Sequence, residues 1–245
     1  MSVDHSVIYE RQSIFKNSAV RRLDEIYRIL SQLVDADIKS LADVGCSNGY
    51  LTNLISEKFQ ISQVIGLDND EENLGIAKKL YPDIQFKPVN LNQKAEAEAK
   101  YDIVTCLETL EHVGNLNQAL QNILSITEKN GNLVIAVPIE IGYLGFTKLI
   151  YRILRYGINS YYVFQEFQNH NSFSPFSYTF SLLMRQRMSR FRYSKNHWST
   201  HLGFDYRDID DWLKQKKVNY SAYNKNGSRF YIIRNQLKDK ISNAS

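Results

Sequence analysis

The chain is poor in several residue types. Its 245 residues include two cysteines, three methionines and four prolines. Cys46 and Cys106 have neither a disulfide-framework nor a zinc-ribbon spacing, which excludes a stapled mini-domain. Both fall at expected strand ends, where a small buried residue fits. So few cysteines suit a reducing compartment, and no apolar run is long enough to span a bilayer. Met1-Ser2-Val3-Asp4-His5 lacks the basic start and apolar core of a secretory signal, so a cytoplasmic location is expected. Acid is nearly missing from residues 141–200, which hold eight Lys/Arg against one Asp/Glu. Residues 1–140 reverse that balance, with 13 against 20, and residues 201–245 carry nine against five. The split suggests that the basic part meets an anionic surface or acceptor; a merely solvated basic face is the other reading.

What is present supports a real core: 43% of residues are hydrophobic and 12% aromatic. In Arg21 to Val34, the residues Leu23, Ile26, Tyr27, Leu30, Leu33 and Val34 have helical spacing. Strands are expected at 40–45, 63–67, 84–89, 101–106 and 132–137, with helices at 48–59, 70–80, 92–98 and 115–129. Asn130-Gly131 reads as a left-handed stop before the fifth strand. This alternation predicts a parallel sheet with helices on both faces. A helix over Tyr206–Lys217 should follow. Two strands then flank Asn224-Lys225-Asn226-Gly227, an antiparallel hairpin signal. The aromatic-rich 139–201 stretch, with helices at 143–155 and 178–188, reads as a cap inserted between the fifth and sixth strands. One domain over 1–245 is expected: an N-terminal helical segment (1–39), a core (40–138 and 202–235) and that cap.

The richest stretch is Leu41-Ala42-Asp43-Val44-Gly45-Cys46-Ser47-Asn48-Gly49-Tyr50-Leu51, a buried strand, a tight turn and a helix start. Gly45 and Gly49 let the backbone bend and a ligand approach it, and the helix start attracts an anion. Nineteen residues after Gly49, a second apolar strand, Val64-Ile65-Gly66-Leu67, ends in Asp68. A carboxylate there can accept both hydroxyls of a ribose. It could instead cap the next helix, although Asn69 and Asp70 are better placed for that. Together these features describe a site for a nucleoside carrying a second, charged group.

This set resembles the class I S-adenosylmethionine-dependent methyltransferases over residues 40–140 and roughly 205–235. Asp43-Val44-Gly45-Cys46-Ser47-Asn48-Gly49 is similar to the family's first motif, and Asp68 to its ribose-binding acid. Tyr101-Asp102-Ile103-Val104-Thr105-Cys106-Leu107-Glu108-Thr109-Leu110-Glu111-His112-Val113 is similar to its fourth-strand segment. Gly131-Asn132-Leu133-Val134-Ile135-Ala136-Val137-Pro138 is similar to its fifth strand. The resemblance implies a Rossmann-like, doubly wound seven-stranded α/β sheet with an antiparallel last pair, and S-adenosyl-L-methionine as cofactor. It implies that the main chain at Gly45, Cys46, Ser47 and Gly49 holds the methionine portion, with Asp43 near its amine. Asp68 would hold the ribose, Asn90 the adenine and Leu107 the far wall, with Asn69 and Leu91 also expected to touch the cofactor. Two positions depart from the pattern: Ser47 stands for the central glycine, and Asn90 for the usual Asp.

Glu108, Glu111 and His112 stand at i, i+3 and i+4, one face if that segment is helical. Such a face could bind a divalent cation, and a similar Glu-x-x-Glu-His occurs in ubiquinone-biosynthesis and small-RNA 2′-O-methyltransferases. A further ligand would come from His197 or His201. Without metal, His112 is a pocket wall or base, and His201 with Trp198 closes the acceptor pocket or packs a helix end. The run Arg185, Arg187, Arg190, Arg192 and Lys195, with Phe191 and Tyr193, suits phosphate, nucleic acid or a membrane surface. The expected acceptor is a small or anionic lipid- or sugar-linked molecule, O- or N-directed, with peripheral membrane contact through 143–195. An RNA acceptor, a non-catalytic nucleoside-binding role and a dinucleotide-dependent oxidoreductase are the alternatives. The turn lacks the Gly-x-Gly-x-x-Gly spacing that the last requires.

Overall fold

The computed structural model describes residues 18–35, 37–94, 99–157, 174–192 and 201–235. Its elements, in chain order, are α1 (Ser18–Leu33), β1 (Ser40–Val44), α2 (Tyr50–Phe59), β2 (Gln63–Asp68), α3 (Glu71–Leu80), β3 (Gln85–Pro88) and β4 (Tyr101–Leu107). A 3-10 turn (Leu110–His112), α4 (Leu116–Ser125), β5 (Thr127–Pro138), α5 (Gly142–Tyr156) and α6 (Pro175–Leu183) follow. A second 3-10 turn (Ser189–Phe191), α7 (Arg207–Gln215), β6 (Asn219–Lys225) and β7 (Ser228–Arg234) complete them. The seven strands run in the order β3-β2-β1-β4-β5-β7-β6. The first five pair in parallel, and β7 runs antiparallel to both β5 and β6. Strand order reverses beside β1, so the ends of β1 and β4 open a crevice where such sheets bind ligands.

Strand periodicity divides the core. Ala42, Val44, Val104, Cys106, Leu133, Ile135 and Tyr231 point toward α4 and α7, where Leu120, Ile123, Ile209 and Leu213 meet them. Leu41, Ile103, Leu107, Val134, Ala136 and Phe230 point the other way, onto Ile26, Ile29 and Leu30 of α1 and Ile55 of α2. No helix of the described residues is long and apolar enough to cross a membrane.

Several boundaries differ from expectation. Residues 91–93 form a turn in place of the start of a helix at 92–98, with Gln93 N–H donated to the Asn90 carbonyl at 3.2 Å; residues 95–98 lie outside the described set. The expected 115–129 helix stops at Ser125, and the strand begins at Thr127, because Tyr101 at the start of β4 donates to Ile126 O at 2.8 Å. Asn130 does take a left-handed φ of 70°, but inside β5, at the bulge where pairing jumps from Tyr101–Thr127 to Ile103–Asn132. The second cap helix spans 175–183 rather than 178–188. Ser174 caps it, Pro175 occupies the first turn, and Arg185 at φ 53° ends the run. The hairpin link shrinks to two residues, Asn226 (φ 53°) and Gly227 (φ 78°), the signs that a tight two-residue turn demands.

The N-terminal helix is tied to the last hairpin by a buried carboxylate. Glu25, 3% exposed, accepts from Arg28 Nε at 2.9 Å, from the Tyr223 hydroxyl at 2.6 Å and from the Lys225 ammonium. Burial works to raise its pKa, but the Arg28, Lys225 and Tyr223 bonds outweigh it and bring the value from 4.5 to about 2. A carboxyl depressed in the folded state contributes stability above its ordinary pKa and loses it as pH falls through the folded value. The wild type should therefore lose about 2 kcal/mol relative to Glu25→Gln between pH 4.5 and 2, read from urea unfolding across that range. Parallel acid limbs in the two proteins would remove this carboxylate as the cause.

Candidate active site

The turn after β1 alternates left-handed residues: Gly45 (φ 82°), Ser47 (φ 49°) and Gly49 (φ 76°). Two of these positions admit nothing but glycine. A Cβ on Gly45 would lie 2.0 Å from Thr109 Oγ1, and one on Gly49 would lie 2.7 Å from Phe86 Cζ. Ser47 itself adopts the left-handed shape that Asn48 was better suited to visit. Its N–H is donated to Asp68 Oδ2 at 2.7 Å, which offsets a cost of about 1 kcal/mol. Asp68 also accepts from Asp70 N–H at 2.9 Å, whereas Asp70, not Asp68, caps α3 by accepting from Asn73 N–H at 3.1 Å. A carboxylate has about four acceptor positions, so the half-buried Asp68 retains two for hydroxyls.

The neighbouring residues sort by burial. Asp43 is 2% exposed, and its oxygens take the hydroxyls of Thr52 (2.6 Å) and Thr105 (2.7 Å). It braces the base of the turn, and burial raises its pKa. Cys46 is packed with Leu74, Ala77 and Phe86, and burial pushes its thiol far above the usual range, so it is no nucleophile. Asn69 is exposed; Asn90 is half-buried and its Oδ1 accepts from Asn92 N–H at 3.0 Å. Leu91 and Leu107 are buried, on opposite faces of the sheet. Leu91, Leu67 and Val89 line a cavity of about 430 Å³.

A second group gathers beyond β4 and β5. Glu108 takes a left-handed φ of 53° and the next turn is 3-10, so Glu108, Glu111 and His112 do not share an α-helical face. Glu108 instead accepts from the Ser228 hydroxyl at 3.3 Å and pairs with Arg22 at 3.6 Å. Glu111 points inward at 1% exposure, and both its oxygens are buried without a hydrogen-bond partner. Burial raises its carboxyl well above the usual range, and the charge of Glu108 adds to the effect. His201 comes from the cap side, its ring against His112 with centroids 4.5 Å apart. One ligand atom from each of Glu111, His112 and His201 falls within 4.8 Å of the others, a spacing that can hold a metal ion. Glu108 is absent from that group. His197 and Trp198 lie outside the described residues.

Glu140 completes the cluster. It is 4% exposed and is gripped by Arg152 at 2.8 and 2.9 Å, with Lys148 at 3.4 Å and His201 Nδ1 at 3.7 Å. Burial alone would raise its pKa; Arg152 and then Lys148 outweigh it and hold the group ionised. Burial lowers His201 to about 3 despite Glu140, so its ring is neutral. Sequence reasoning passed over Glu140, Thr109 and Phe86. The signal for Glu140 was the stripe of Lys148 and Arg152, four apart on one helix face with no acid of their own helix to meet.

Residues 18–180 match the model of a family described as methyltransferase domain. The chain belongs to this methyltransferase family. It is 33% identical over 127 residues to protein 235L of Invertebrate iridescent virus 6, a methyltransferase by name, covering 52% of this chain and 47% of that protein. It is 26% identical over 146 residues to the ubiquinone biosynthesis O-methyltransferase of Stutzerimonas stutzeri (strain A1501), covering 54% and 62%. The chain thus spans from about half to three fifths of the length of these relatives. Among solved structures, the CurJ carbon methyltransferase superposes with a TM-score of 0.59 at 12% identity, over 95% of this chain and 58% of that one. The left-handed turn, the two spare acceptor positions on Asp68 and the apolar wall at Leu67–Leu91 fit an adenosyl amino acid. The buried ion cluster has its own consequence. Arg152→Leu leaves Glu140 under-compensated and should cost about 3 kcal/mol. Adding Glu140→Leu should recover part of that loss in urea unfolding; additive losses would show the two side chains to be uncoupled.

Proposed function

We propose that this chain is an S-adenosyl-L-methionine-dependent methyltransferase acting on a small-molecule acceptor, O- or N-directed, of anionic, lipid-linked or sugar-linked type. The observation that carries the reading is Asp68, whose carboxylate is fixed by Ser47 and Asp70 N–H while two acceptor positions remain open. In this reading the main chain of Gly45, Cys46, Ser47 and Gly49 holds the amino-acid end, and Asp43 supports that turn from beneath. Asp68 holds the ribose, Asn90 the adenine and Leu107 the opposite wall, with Asn69 and Leu91 also touching the cofactor. Bound there, the ligand supplies a sulfonium methyl open to in-line displacement. The chain's part is to align the acceptor, exclude water and take a proton. In this reading His201, with His112 beside it, accepts that proton, and the ionised Glu140 at 3.7 Å works against the burial that disfavours the charged imidazole. We take 1–245 as one domain, with α5 of the 139–201 insertion meeting Glu140 on the acceptor side. A relative named for ubiquinone biosynthesis supports a small acceptor.

A second reading of the same cluster has its own support in the unpartnered oxygens of Glu111 beside His112 and His201. These three would hold a divalent cation that lowers the pKa of an acceptor hydroxyl, as an RNA 2′-O-methyltransferase would also need. Calorimetry with S-adenosylhomocysteine tests the nucleoside site: Asp68→Ala should weaken binding about 10- to 100-fold. No binding by the wild type, or equal binding by the variant, sinks the assignment. Binding without turnover of any acceptor in broad metabolite extracts would leave a nucleoside-binding protein. Turnover indifferent to a chelator assigns the proton to the histidines; loss restored by Mg²⁺ or Mn²⁺ assigns it to a metal.

A further inference from the structure

Among the described residues ten large hydrophobic side chains are exposed, and nine of them sit on α5, on α6 or at Met184, which ends α6. On α5, Tyr143 (76%), Tyr151 (63%) and Leu154 (81%) stand with Ile150 along one side of the helix. On α6, Phe176 is 80% exposed and stacks on Phe180 with centroids 6.4 Å apart. The two helices pack against each other, so both exposed stripes belong to one helical pair. Such a patch is larger than scattered surface hydrophobics and calls for a partner. Among the described residues the exposed charge at its border is basic. Neither helix contains Asp or Glu, and Arg185 is exposed at its border. Lys148 and Arg152 lie toward the interior, at Glu140.

We propose that this face docks on an anionic lipid bilayer, with α5 and α6 lying in the headgroup boundary. Tyrosines, phenylalanines and leucines facing outward with an arginine at the border are the make-up of an interfacial surface. A second copy of the chain is the poorer occupant. Pairing two such faces would set arginine against arginine with no acid on either helix, whereas anionic headgroups complement them. The other face of α5 reaches Glu140, so docking would leave the cluster on the inner side of that helix.

Vesicle sedimentation tests this without any activity readout. The intact chain should pellet with phosphatidylcholine vesicles containing about 30% phosphatidylglycerol, less with phosphatidylcholine alone, and less as salt rises. Leu154→Glu with Phe176→Glu should weaken that partition about tenfold or more. Their thermal unfolding should match the wild type, because both side chains are already exposed. No pelleting with anionic vesicles, or equal pelleting by the folded variant, overturns the proposal. So does a dimer in light scattering that the variant disperses, which would assign the face to a second copy.

Discussion

Asp68 holds the crevice together. Its two oxygens bind N–H groups from two different loops, Ser47 after β1 and Asp70 after β2. The left-handed turn and the start of α3 are thereby fixed to one carboxylate. Ser47 can hold φ 49° because that bond repays its strain, so a position where the resembling family has glycine is served by a side chain here. Gly45 and Gly49 are constrained differently, by Thr109 and Phe86 packed against them. The turn is thus shaped from three sides: by the strand-end acid, by the loop after β4 and by β3. Asp43 supports it from below through Thr52 and Thr105.

A second constraint governs the ends of β4 and β5, where the buried Glu111 and Glu140 lie near Glu108 and two half-buried imidazoles. Such a group is tolerable only if its charges are divided unequally. Glu140 takes the cations Arg152 and Lys148 and stays ionised, whereas Glu111, with neither cation, is driven toward its neutral form. Glu108 lies between these extremes: burial raises it, and Arg22 and Lys148 pull against that. Two acids of unlike protonation beside a neutral imidazole are what proton handling or metal binding requires.

The alternation of strands and helices and the antiparallel last pair were legible because short apolar runs and an Asn-Gly turn are local signals. What escaped was set by partners distant in sequence. Thr127 opens β5 because β4 starts beside it, which no window around Asn130 reveals. The spacing of Glu108, Glu111 and His112 implied a shared helical face. One left-handed residue at Glu108 rotates it away, while His201, which the sequence offered as a further ligand, lies beside Glu111 and His112. Of the residues read from the first motif, Gly45, Ser47 and Gly49 meet the strand-end Asp68 at one crevice. Asp43 and Cys46 are buried beneath it, a difference that only packing decides.

The inserted helices explain why the basic excess of residues 141–200 is split between two uses. Lys148 and Arg152 are drawn inward, where Glu140 offers a buried carboxylate and removal of one partner would strand the other. Arg187 is spent on Asp208 and Asp211 of α7. Arg192 donates to the carbonyls of Glu111 and Val113, fixing the loop that carries the cluster. These cations build the insertion onto the core. The apolar side chains left on the outer face of α5 and α6 have no such inward role, because the core positions of these helices are already filled by Leu149, Tyr178 and Leu182. An outward apolar face retained beside inward-turned cations is therefore a surface shaped for contact rather than a by-product of folding.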